Sequence, residues 1–392
     1  MKIVYLIGRF PPVYGGQTPV EIDINSELVK RNHSICFITP RFDKKHLEFE
    51  QYNGISIIRI SPPLKGPFSE ILFVLNAFIK IKQLNLNPEL IVDLIPFGNS
   101  MIITKLFSKI WKIPVVCKLS QEGTNEPFAS EKGMFGFVRK RFFSIYEKII
   151  AISPILVENC KMAKISNNKI EFIPNCVNTS QFTPVDEVYK NKLRQELFPN
   201  IQGDIVTIVG TITQRKRPHL AIEAWKILKL KYLKPATIVF VGPEKSSGQP
   251  FDEKYVNQLK NKIKQYGLED SVIFTGFQKN IHEYYQASDI TLFVSEREGL
   301  PGVVLQTMSA GVPIVTVNIE KITEYMLTNG KEGYITSENP KEISQRMTSL
   351  LLNSEQRDSM GNYSRKNALD RFSINAVTDK IEKLYQNAIS LQ

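Results

Sequence analysis

The chain has 392 residues, of which 42% are hydrophobic, 23% charged and 10% aromatic. These values are typical of a globular protein of two or three domains, and they exclude collagen, coiled coil and wholesale disorder. The formal net charge of +11 is uneven, with +8 in residues 1–180 and +3 in the remainder, which favours an anionic partner for the first part, such as a phosphorylated substrate, a membrane surface or nucleic acid.

Short apolar and β-branched runs alternate with helical patterns along the first 180 residues. A helical pattern covers 19–32, and the predicted strands are 2–8, 34–40, 55–61, 90–96 and 113–119. The opening run ends at Arg9 without a cleavage site, so we interpret it as a strand rather than a signal peptide. The alternation predicts a parallel sheet with helices between its strands.

The same alternation restarts after about residue 200. Strands are predicted at 204–210, 235–242, 271–277, 289–295 and 312–317, and helices at 218–230 and 255–267. Between the two parts, residues 173–191 are rich in Pro, Asn, Thr and Ser, as in a linker. Residues 367–391 are predicted as one amphipathic helix whose apolar face carries Ile374, Val377, Ile381 and Leu384.

We therefore predict an α/β protein of two facing, doubly wound, Rossmann-like domains. Their bounds are 1–180 and 181–370, followed by a C-terminal helical segment, 371–392, expected to pack back on the first domain. Ligands of such sheets bind at the carboxyl ends of the strands, so the site is expected in the cleft between the domains.

Cysteine usage and hydropathy predict the cellular compartment of the protein. The four cysteines are far apart and form no C-x-x-C pair, which predicts a reducing, cytoplasmic setting. The best apolar run, 71–81, is interrupted by Asn76 and Lys80, so no membrane span is predicted. Residues 132–148 interleave basic and aromatic side chains; they form either an interfacial helix on anionic lipid at the inner face of the cell membrane, or core aromatics with a solvated basic face.

Residues 294–317 hold the most informative pattern, a strand, a Glu-Gly-Leu-Pro-Gly turn and a helix beginning near Val303. Glycines let backbone amides approach a ligand closely, and a helix N-terminus attracts an anion. Glu298 precedes the turn and Gln306 lies one turn into the helix, so the two side chains are placed to bracket a sugar and its nucleotide. The alternative is a plain strand-turn-helix in which Glu298 caps nearby amides.

This segment resembles the Glu-x7-Glu signature of glycosyltransferase family 4, whose members have the GT-B fold and retain anomeric configuration. The matching residues are Glu298, Gly299, Ala310, Gly311 and Pro313. The resemblance implies that Glu298 binds the donor sugar and that position 306 binds the nucleotide ribose. The family's second Glu is Gln306 here, which keeps a carbonyl acceptor and adds an amide donor. We expect weaker or altered donor binding.

Residues 209–225 resemble the family's V-G-R-x4-K element, whose Arg and Lys meet the donor diphosphate. Lys216 matches the Lys, and Thr211 stands at the Arg position. Either Arg215 or Arg217 can supply the missing cation, and fixed cations stabilise the charge that grows on a leaving diphosphate. Alone, an Arg-Lys-Arg run is usually solvated surface.

Four further segments resemble the family in order and spacing. They are the opening P-P-x2-G-G at 11–16, an interdomain segment at 173–184, and the strand ends 241–244 and 274–277. The family's active-site His has no counterpart, because Ser120, Gln121 and Glu122 occupy that region. The residues implied to act in catalysis are Glu298 and Lys216. Those implied to bind the donor are Gly15, Gly16, Gly210, Thr211, Arg215, Gly242, Gly276, Phe277, Gly299, Leu300, Pro301, Gly302, Val303 and Gln306.

The resemblance implies a retaining hexosyltransferase that moves sugar from a UDP- or GDP-sugar to an acceptor hydroxyl. The acceptor is expected to be a glycan or a lipid-linked molecule of surface polysaccharide or glycoconjugate assembly. Neither a cofactor nor a metal is expected, since the sequence has no H-E-x-x-H, D-x-D or clustered Cys/His motif. Two alternatives stay open: a catalytically silent nucleotide-sugar-binding protein, which Thr211 and Gln306 permit, and a GT-B nucleotide-sugar epimerase. A nucleic-acid binder has only the basic charge in its favour, so nucleic acid is not an expected partner.

Overall fold

The structure, a computed structural model, describes residues 1–13, 16–61, 69–95, 100–120, 143–243 and 252–391. The chain folds as two compact units, one formed by Met1–Cys176 with Ile374–Gln392 and the other by Val177–Ser373. Gly15 and most of the segment 132–148 lie outside the described residues.

The first unit is built on one sheet. Its strands are β1 (Lys2–Leu6), β2 (Ser34–Pro40), β3 (Phe49–Tyr52), β4 (Ile55–Ile60), β5 (Leu90–Asp93), β6 (Val115–Leu119), β7 (Lys148–Ala151) and β8 (Ile170–Phe172). Within the described residues the order is β3-β4-β2-β1-β5-β6-β7-β8. Neighbouring strands pair in parallel, except for β3 and β4. These two form an antiparallel hairpin through Asn53 and Gly54, whose positive φ angles suit a tight turn.

Within the described residues, helices connect these strands. They are α1 (Thr18–Lys30), α2 (Ser69–Gln83), α3 (Ser100–Trp111) and α4 (Pro154–Met162). Tyr5, Phe37 and Val116 of the strands share a buried cluster with Leu28 of α1. All five strands predicted for this part are present, and β3, β7 and β8 were not predicted.

The second unit has a six-stranded, wholly parallel sheet in the order β11-β10-β9-β12-β13-β14 across its described residues. The strands are β9 (Asp204–Val209), β10 (Ala236–Val241), β11 (Val272–Phe274), β12 (Ile290–Phe293), β13 (Ile314–Val317) and β14 (Gly333–Thr336). The helices are α5 (Glu187–Leu197), α6 (Pro218–Lys231), α7 (Glu253–Gln265), α8 (Ile281–Gln286), α9 (Gly302–Ser309), α10 (Thr323–Met326), α11 (Pro340–Leu352) and α12 (Ser354–Phe372). Trp225 of α6, Phe240 of β10 and Leu292 of β12 lie in its core.

Several of these helices begin at a residue whose side chain satisfies a first-turn amide. Such Asp and Asn caps are worth about 1 kcal/mol each. The capping residues are Asp186 before α5, Asp252 before α7, Asn339 before α11 and Asn353 before α12.

The C-terminal helix α13 (Ile374–Ser390) packs in the first unit, where Val377 and Ile381 join the buried cluster and the Tyr5 hydroxyl donates to the Tyr385 hydroxyl at 3.2 Å. The prediction of one helix over 367–391 is wrong, because Ser373 is extended and separates α12 from α13. The cause is a backbone bond, since the Phe372 carbonyl accepts from the Val177 amide at 2.8 Å.

Among the residues described, no helix combines the length and the apolar character that crossing a membrane requires. The four cysteines are buried thiols without a disulfide.

Candidate active site

The chain order of the second sheet reverses between β9 and β12. From β9 the chain continues to β10 on one side, and later returns to place β12 on the other. Open α/β sheets bind ligands at the carboxyl ends of the strands beside such a reversal. Residues 210–217 follow β9 and residues 294–302 follow β12, so the topology brings together the two segments that the sequence singled out.

Glu298 is the centre of a group of hydrogen-bond donors. Its Oε1 accepts from Lys216 Nζ at 2.6 Å, from the Arg215 guanidinium at 2.7 Å and from the Ser295 hydroxyl at 2.6 Å. The backbone joins the same segments, because the Glu296 amide donates to the Arg215 carbonyl at 2.9 Å. We call Glu298, Ser295, Arg215 and Lys216 the Glu298 cluster.

The turn after β9 decides which of the neighbouring cations enters this cluster. Residues Gln214–Lys216 form a single 3-10 turn, and Arg217 then adopts a left-handed conformation with φ 49° before α6 begins. The Arg217 side chain pairs with Glu338 at 2.6 Å instead. Of the two candidates to replace the family's arginine, Arg215 is therefore the one beside Glu298.

The charges in the cluster shift the pKa values of its members. Burial disfavours the charged form of Glu298, but the charges of Lys216 and Arg215 outweigh it and hold the pKa of this carboxyl below its usual value. Burial also lowers the pKa of Lys216, against the attraction of Glu298. With one carboxylate and two cations, the cluster carries a net positive charge that suits an anionic ligand.

Glycines bring three strand ends close together. The Gly242 amide donates to the Gly276 carbonyl at 3.0 Å, and the Gly210 amide donates to the Val241 carbonyl at 2.9 Å. Gly242 has φ 154°, and a Cβ there would lie 2.2 Å from the Gly210 carbonyl oxygen. A side chain at position 242 is therefore excluded, and bare backbone lines this part of the site.

Replacing Gly242 by Ala is expected to lower the free energy of unfolding by about 3 kcal/mol, because backbone strain and overlap act together. Denaturant unfolding measures it. Gly267→Ala is the matched control, since Gly267 also has a positive φ but open space around it. Equal losses in the two variants would contradict a role for the close approach at Gly242.

Helix α9 begins directly after the turn that follows Glu298. Pro301 precedes it and makes no side-chain cap, while Gly299, Leu300 and Pro301 are buried. Gly302 is exposed, and a Cβ there would meet nothing within 4 Å. The first-turn amides of a helix lack intrahelical partners and attract anions. The space in front of Gly302 and the half-buried Val303 is therefore suited to a phosphate.

Gln306 is held by a buried tyrosine. The Tyr285 hydroxyl donates to Gln306 Oε1 at 3.1 Å, and Tyr285 has no exposed surface. One lone pair of the carbonyl oxygen accepts this bond, so the Nε2 amide and the second lone pair are what Gln306 can offer to a ligand. The sequence analysis expects Gln306 to keep a carbonyl acceptor for the ribose, and in the structure the same oxygen also accepts from Tyr285.

The remaining predicted donor-binding residues are placed unequally. Gly210 and Thr211 line one small cavity with Lys216 and Ser295. Phe277 is 67% exposed, so its side chain lies largely in solvent. Gly16 belongs to the first unit, just before α1.

Two polar contacts of this site were missed by the sequence analysis. Ser295 is the last residue of the predicted strand 289–295 and lies three residues before Glu298. The sequence therefore showed its position, but not its hydrogen bond to Glu298. Tyr285 lies 21 residues before Gln306, and no motif connects them.

No histidine belongs to the Glu298 cluster. His219, for example, hydrogen-bonds the Tyr255 hydroxyl at 2.8 Å. Gln121 and Glu122, in the region of the family's histidine, lie outside the described residues. In the described ranges, His, Cys, Asp and Glu side chains form no group of three or more able to hold a metal ion.

Two family models match the chain one after the other. Residues 14–181 match the model of Glycosyltransferase Family 4, and residues 190–367 match that of Glycosyl transferases group 1. All four residues of the Glu298 cluster lie in the second of these matches.

Two of the curated relatives match over about half of their length. The chain is 30% identical to spore coat protein SA of Bacillus subtilis over 205 residues, 50% of this chain and 52% of that protein. It is 26% identical to the UDP-Gal:alpha-D-GlcNAc-diphosphoundecaprenol alpha-1,3-galactosyltransferase of Escherichia coli over 222 residues, 55% of this chain and 54% of that enzyme. In both cases the match spans about half of the relative.

Solved structures match over the whole chain. HepE from Anabaena in complex with UDP-glucose superposes with a TM-score of 0.79 at 19% identity, covering 99% of this chain and 100% of HepE. The predicted fold, the two Rossmann-like α/β domains of the GT-B class, is confirmed. With the two family models matched in succession, the chain belongs to glycosyltransferase family 4.

Proposed function

We propose that this protein transfers a sugar, with retention of anomeric configuration, from a nucleoside-diphosphate sugar to an acceptor hydroxyl. The observation that carries the proposal is the Glu298 cluster, in which two cations converge on one carboxylate beside the start of α9. The donor is bound by the second domain, 181–370, and the acceptor by the first, 1–180. UDP-glucose in HepE supports a nucleotide-sugar donor.

Glu298 binds the donor sugar through the oxygen that the protein leaves available. Lys216, Arg215 and Ser295 all bond Oε1, so that, among the described residues, Oε2 has no assigned partner. A carboxylate oxygen accepts hydrogen bonds from sugar hydroxyls. The cations at Oε1 keep Glu298 ionised and therefore acceptor-only.

Lys216 and Arg215 act on the diphosphate. Negative charge grows on this leaving group as the glycosidic bond breaks, and preorganised cations and helix-end amides stabilise that charge most in the transition state. The amides at Gly302 and Val303 add to the two side chains. Gly210, Gly242 and Gly276 admit the nucleotide close to the backbone.

Gln306 donates its Nε2 amide to a ribose hydroxyl, while Tyr285 holds its carbonyl oxygen. Replacing Gln306 by Glu is expected to lower the Kd of the nucleotide about tenfold, because the second carboxylate oxygen makes a charge-assisted bond to the ribose. Isothermal titration with UDP and GDP measures this. A raised Kd would show instead that the ribose depends on the amide donor.

The acceptor is a hydroxyl of a glycan or of a lipid-linked molecule in surface polysaccharide or glycoconjugate assembly. The Escherichia coli relative supports this class, since its name gives a diphosphoundecaprenol acceptor. A cytoplasmic enzyme that is peripheral at the inner face of the membrane meets such an acceptor. Lipid-linked and water-soluble glycans, offered in parallel, test which class of acceptor is used.

Transfer is proposed to be metal-independent, because Lys216 and Arg215 supply the positive charge that a divalent ion otherwise supplies to a diphosphate. We expect the transfer rate to be unchanged when EDTA replaces added Mg²⁺ or Mn²⁺. A loss of activity in EDTA that added metal restores would contradict this part of the proposal.

The central experiment is a thermal-shift panel of UDP- and GDP-sugars, followed by NMR of the product made from each donor that binds. A stabilising donor and an α-linked product from an α-linked donor support the proposal. Binding without turnover would select a silent nucleotide-sugar-binding protein, which Thr211 and Gln306 permit. Conversion of the donor without an acceptor would select an epimerase.

A further inference from the structure

Helix α3 places apolar side chains in solvent and polar ones inside. Ile102, Leu106 and Ile110 are 42%, 52% and 62% exposed. Thr104, by contrast, is fully buried, and its hydroxyl donates to the Ser100 carbonyl. A surface helix normally has the reverse arrangement. Because the three apolar residues are four apart, they form one outward stripe, which we call the α3 stripe.

Packing on the opposite side of α3 fixes this orientation. The Phe107 ring stacks on Phe78 of α2 at 4.4 Å between centroids, and Trp111 meets the same ring edge-on at 5.3 Å. Met101 is 1% exposed. Rotation of α3 to bury the α3 stripe would expose these aromatic contacts, so the outward stripe is a stable property of the first unit.

The charged residues of α3 itself, and of the position directly after it, are all positive. Lys105, Lys109 and Lys112 lie within or directly after α3, and residues 100–112 contain no acidic side chain. On a helical projection Lys109 lies about 60° and Lys105 about 100° from the centre of the stripe, so these lysines flank it on one side; Lys109 is exposed and Lys105 is half-buried. A basic helix with an exposed apolar stripe complements an anionic lipid surface, where apolar side chains enter the headgroup boundary and lysines meet lipid phosphates. Pairing with a second copy would bring these lysines together and is opposed by their repulsion.

We propose that the α3 stripe and its three lysines are a membrane-docking face that lies in the plane of an anionic lipid surface. It is a different part of the sequence from the segment 132–148, for which the sequence analysis left open either such a role or a place in the core. The inference does not rest on the transfer reaction, because vesicle binding is measured without donor or acceptor. A failure of the membrane-docking proposal can therefore be distinguished from a failure of the proposed transfer function.

The test is sedimentation of the full chain with phosphatidylcholine vesicles that contain or lack phosphatidylglycerol. Wild type is expected to bind the anionic vesicles, more weakly as salt rises, and not the neutral ones. Replacing the α3 stripe by serines (I102S, L106S and I110S together) is expected to lower the partition coefficient about tenfold or more. K105Q with K109Q is expected to lower it as well and to reduce its dependence on salt.

The matched control replaces two apolar residues of the second unit, Leu230 and Leu233, which are 74% and 95% exposed, by serine. This variant is expected to bind vesicles like wild type, and circular dichroism checks that all variants are folded. Unchanged binding of the stripe variant, or no binding by wild type, would overturn the proposal. The proposal would also be overturned if wild type were a dimer that does not bind vesicles and the stripe variant were a monomer.

Discussion

Replacing Lys216 by Ala is expected to lower kcat about 10²–10³-fold, the usual effect of removing one preorganised group that stabilises transition-state charge. Lys216 Nζ lies 2.6 Å from Glu298, in the group proposed to meet the leaving diphosphate. Because charge grows on that group as the bond breaks, the loss is expected in kcat and in kcat/KM for the donor, with KM for the acceptor unchanged. Steady-state kinetics with the donor found in the thermal-shift panel measures it.

Two controls separate this effect from loss of folding. Lys231→Ala removes an exposed lysine at the end of α6 and is expected to leave both constants at wild-type values. Lys216→Arg keeps the charge and is expected to recover part of kcat. If kcat of Lys216→Ala stayed within threefold of wild type, the proposal that Lys216 stabilises the leaving diphosphate would be contradicted.

The lowered pKa of Glu298 predicts how the stability of the folded protein, and with it the activity, depends on pH. A carboxyl whose pKa is lower in the folded state contributes stability that is present above its unfolded pKa. This contribution is lost as the pH falls through the folded pKa. In Lys216→Ala the main attraction is absent and burial acts on Glu298 with less opposition, so the acid loss of activity should move to higher pH.

Most strands that are continuous apolar runs were predicted, with β7 (KIIA) an exception, and strands that depend on particular tertiary contacts were not. Burial on both faces of a parallel sheet produces runs such as β2 and β10. Strand β3 is a half-exposed edge with the polar sequence FEQY, which has no such pattern. Strand β14 begins with Gly333, where a Cβ would lie 2.3 Å from the Ile314 carbonyl oxygen. The close approach of Ile314 therefore requires glycine at this position, although glycine disfavours strands and hides the strand from a sequence pattern.

The site was accessible from the sequence to the extent that it lies in short segments. Glu298 and Lys216 stand in two segments that match family motifs, and the parallel topology brings those segments to one end of the sheet. The contact between Tyr285 and Gln306 joins distant parts of the chain, and it depends on how α8 packs beside α9. Whether Arg215 or Arg217 contacts Glu298 depends on the left-handed conformation of Arg217. The run of three basic residues in the sequence does not predict that conformation.

Replacing Arg215 by Ala is expected to lower kcat/KM for the donor about 10–100-fold, because Arg215 supplies the cation that Thr211 does not. Its guanidinium donates to Glu298 at 2.7 Å and to the Arg297 carbonyl at 2.8 Å. Charged hydrogen bonds of this kind contribute about 1.5–3 kcal/mol. Arg217→Ala is the matched control; Arg217 pairs with Glu338, away from the cluster, so its loss is expected to leave kcat/KM unchanged.

Restoring the family's arginine tests the substitution directly. Thr211 lines the same cavity as Lys216, so Thr211→Arg is expected to recover most of the kcat/KM lost in Arg215→Ala. In the wild-type background the same change is expected to add little, since one cation is already in place. The two changes should therefore be coupled by about 1–3 kcal/mol in a double-mutant cycle. Additive effects would mean that Arg215 and position 211 serve different parts of the donor, and that the missing arginine has no replacement in this chain.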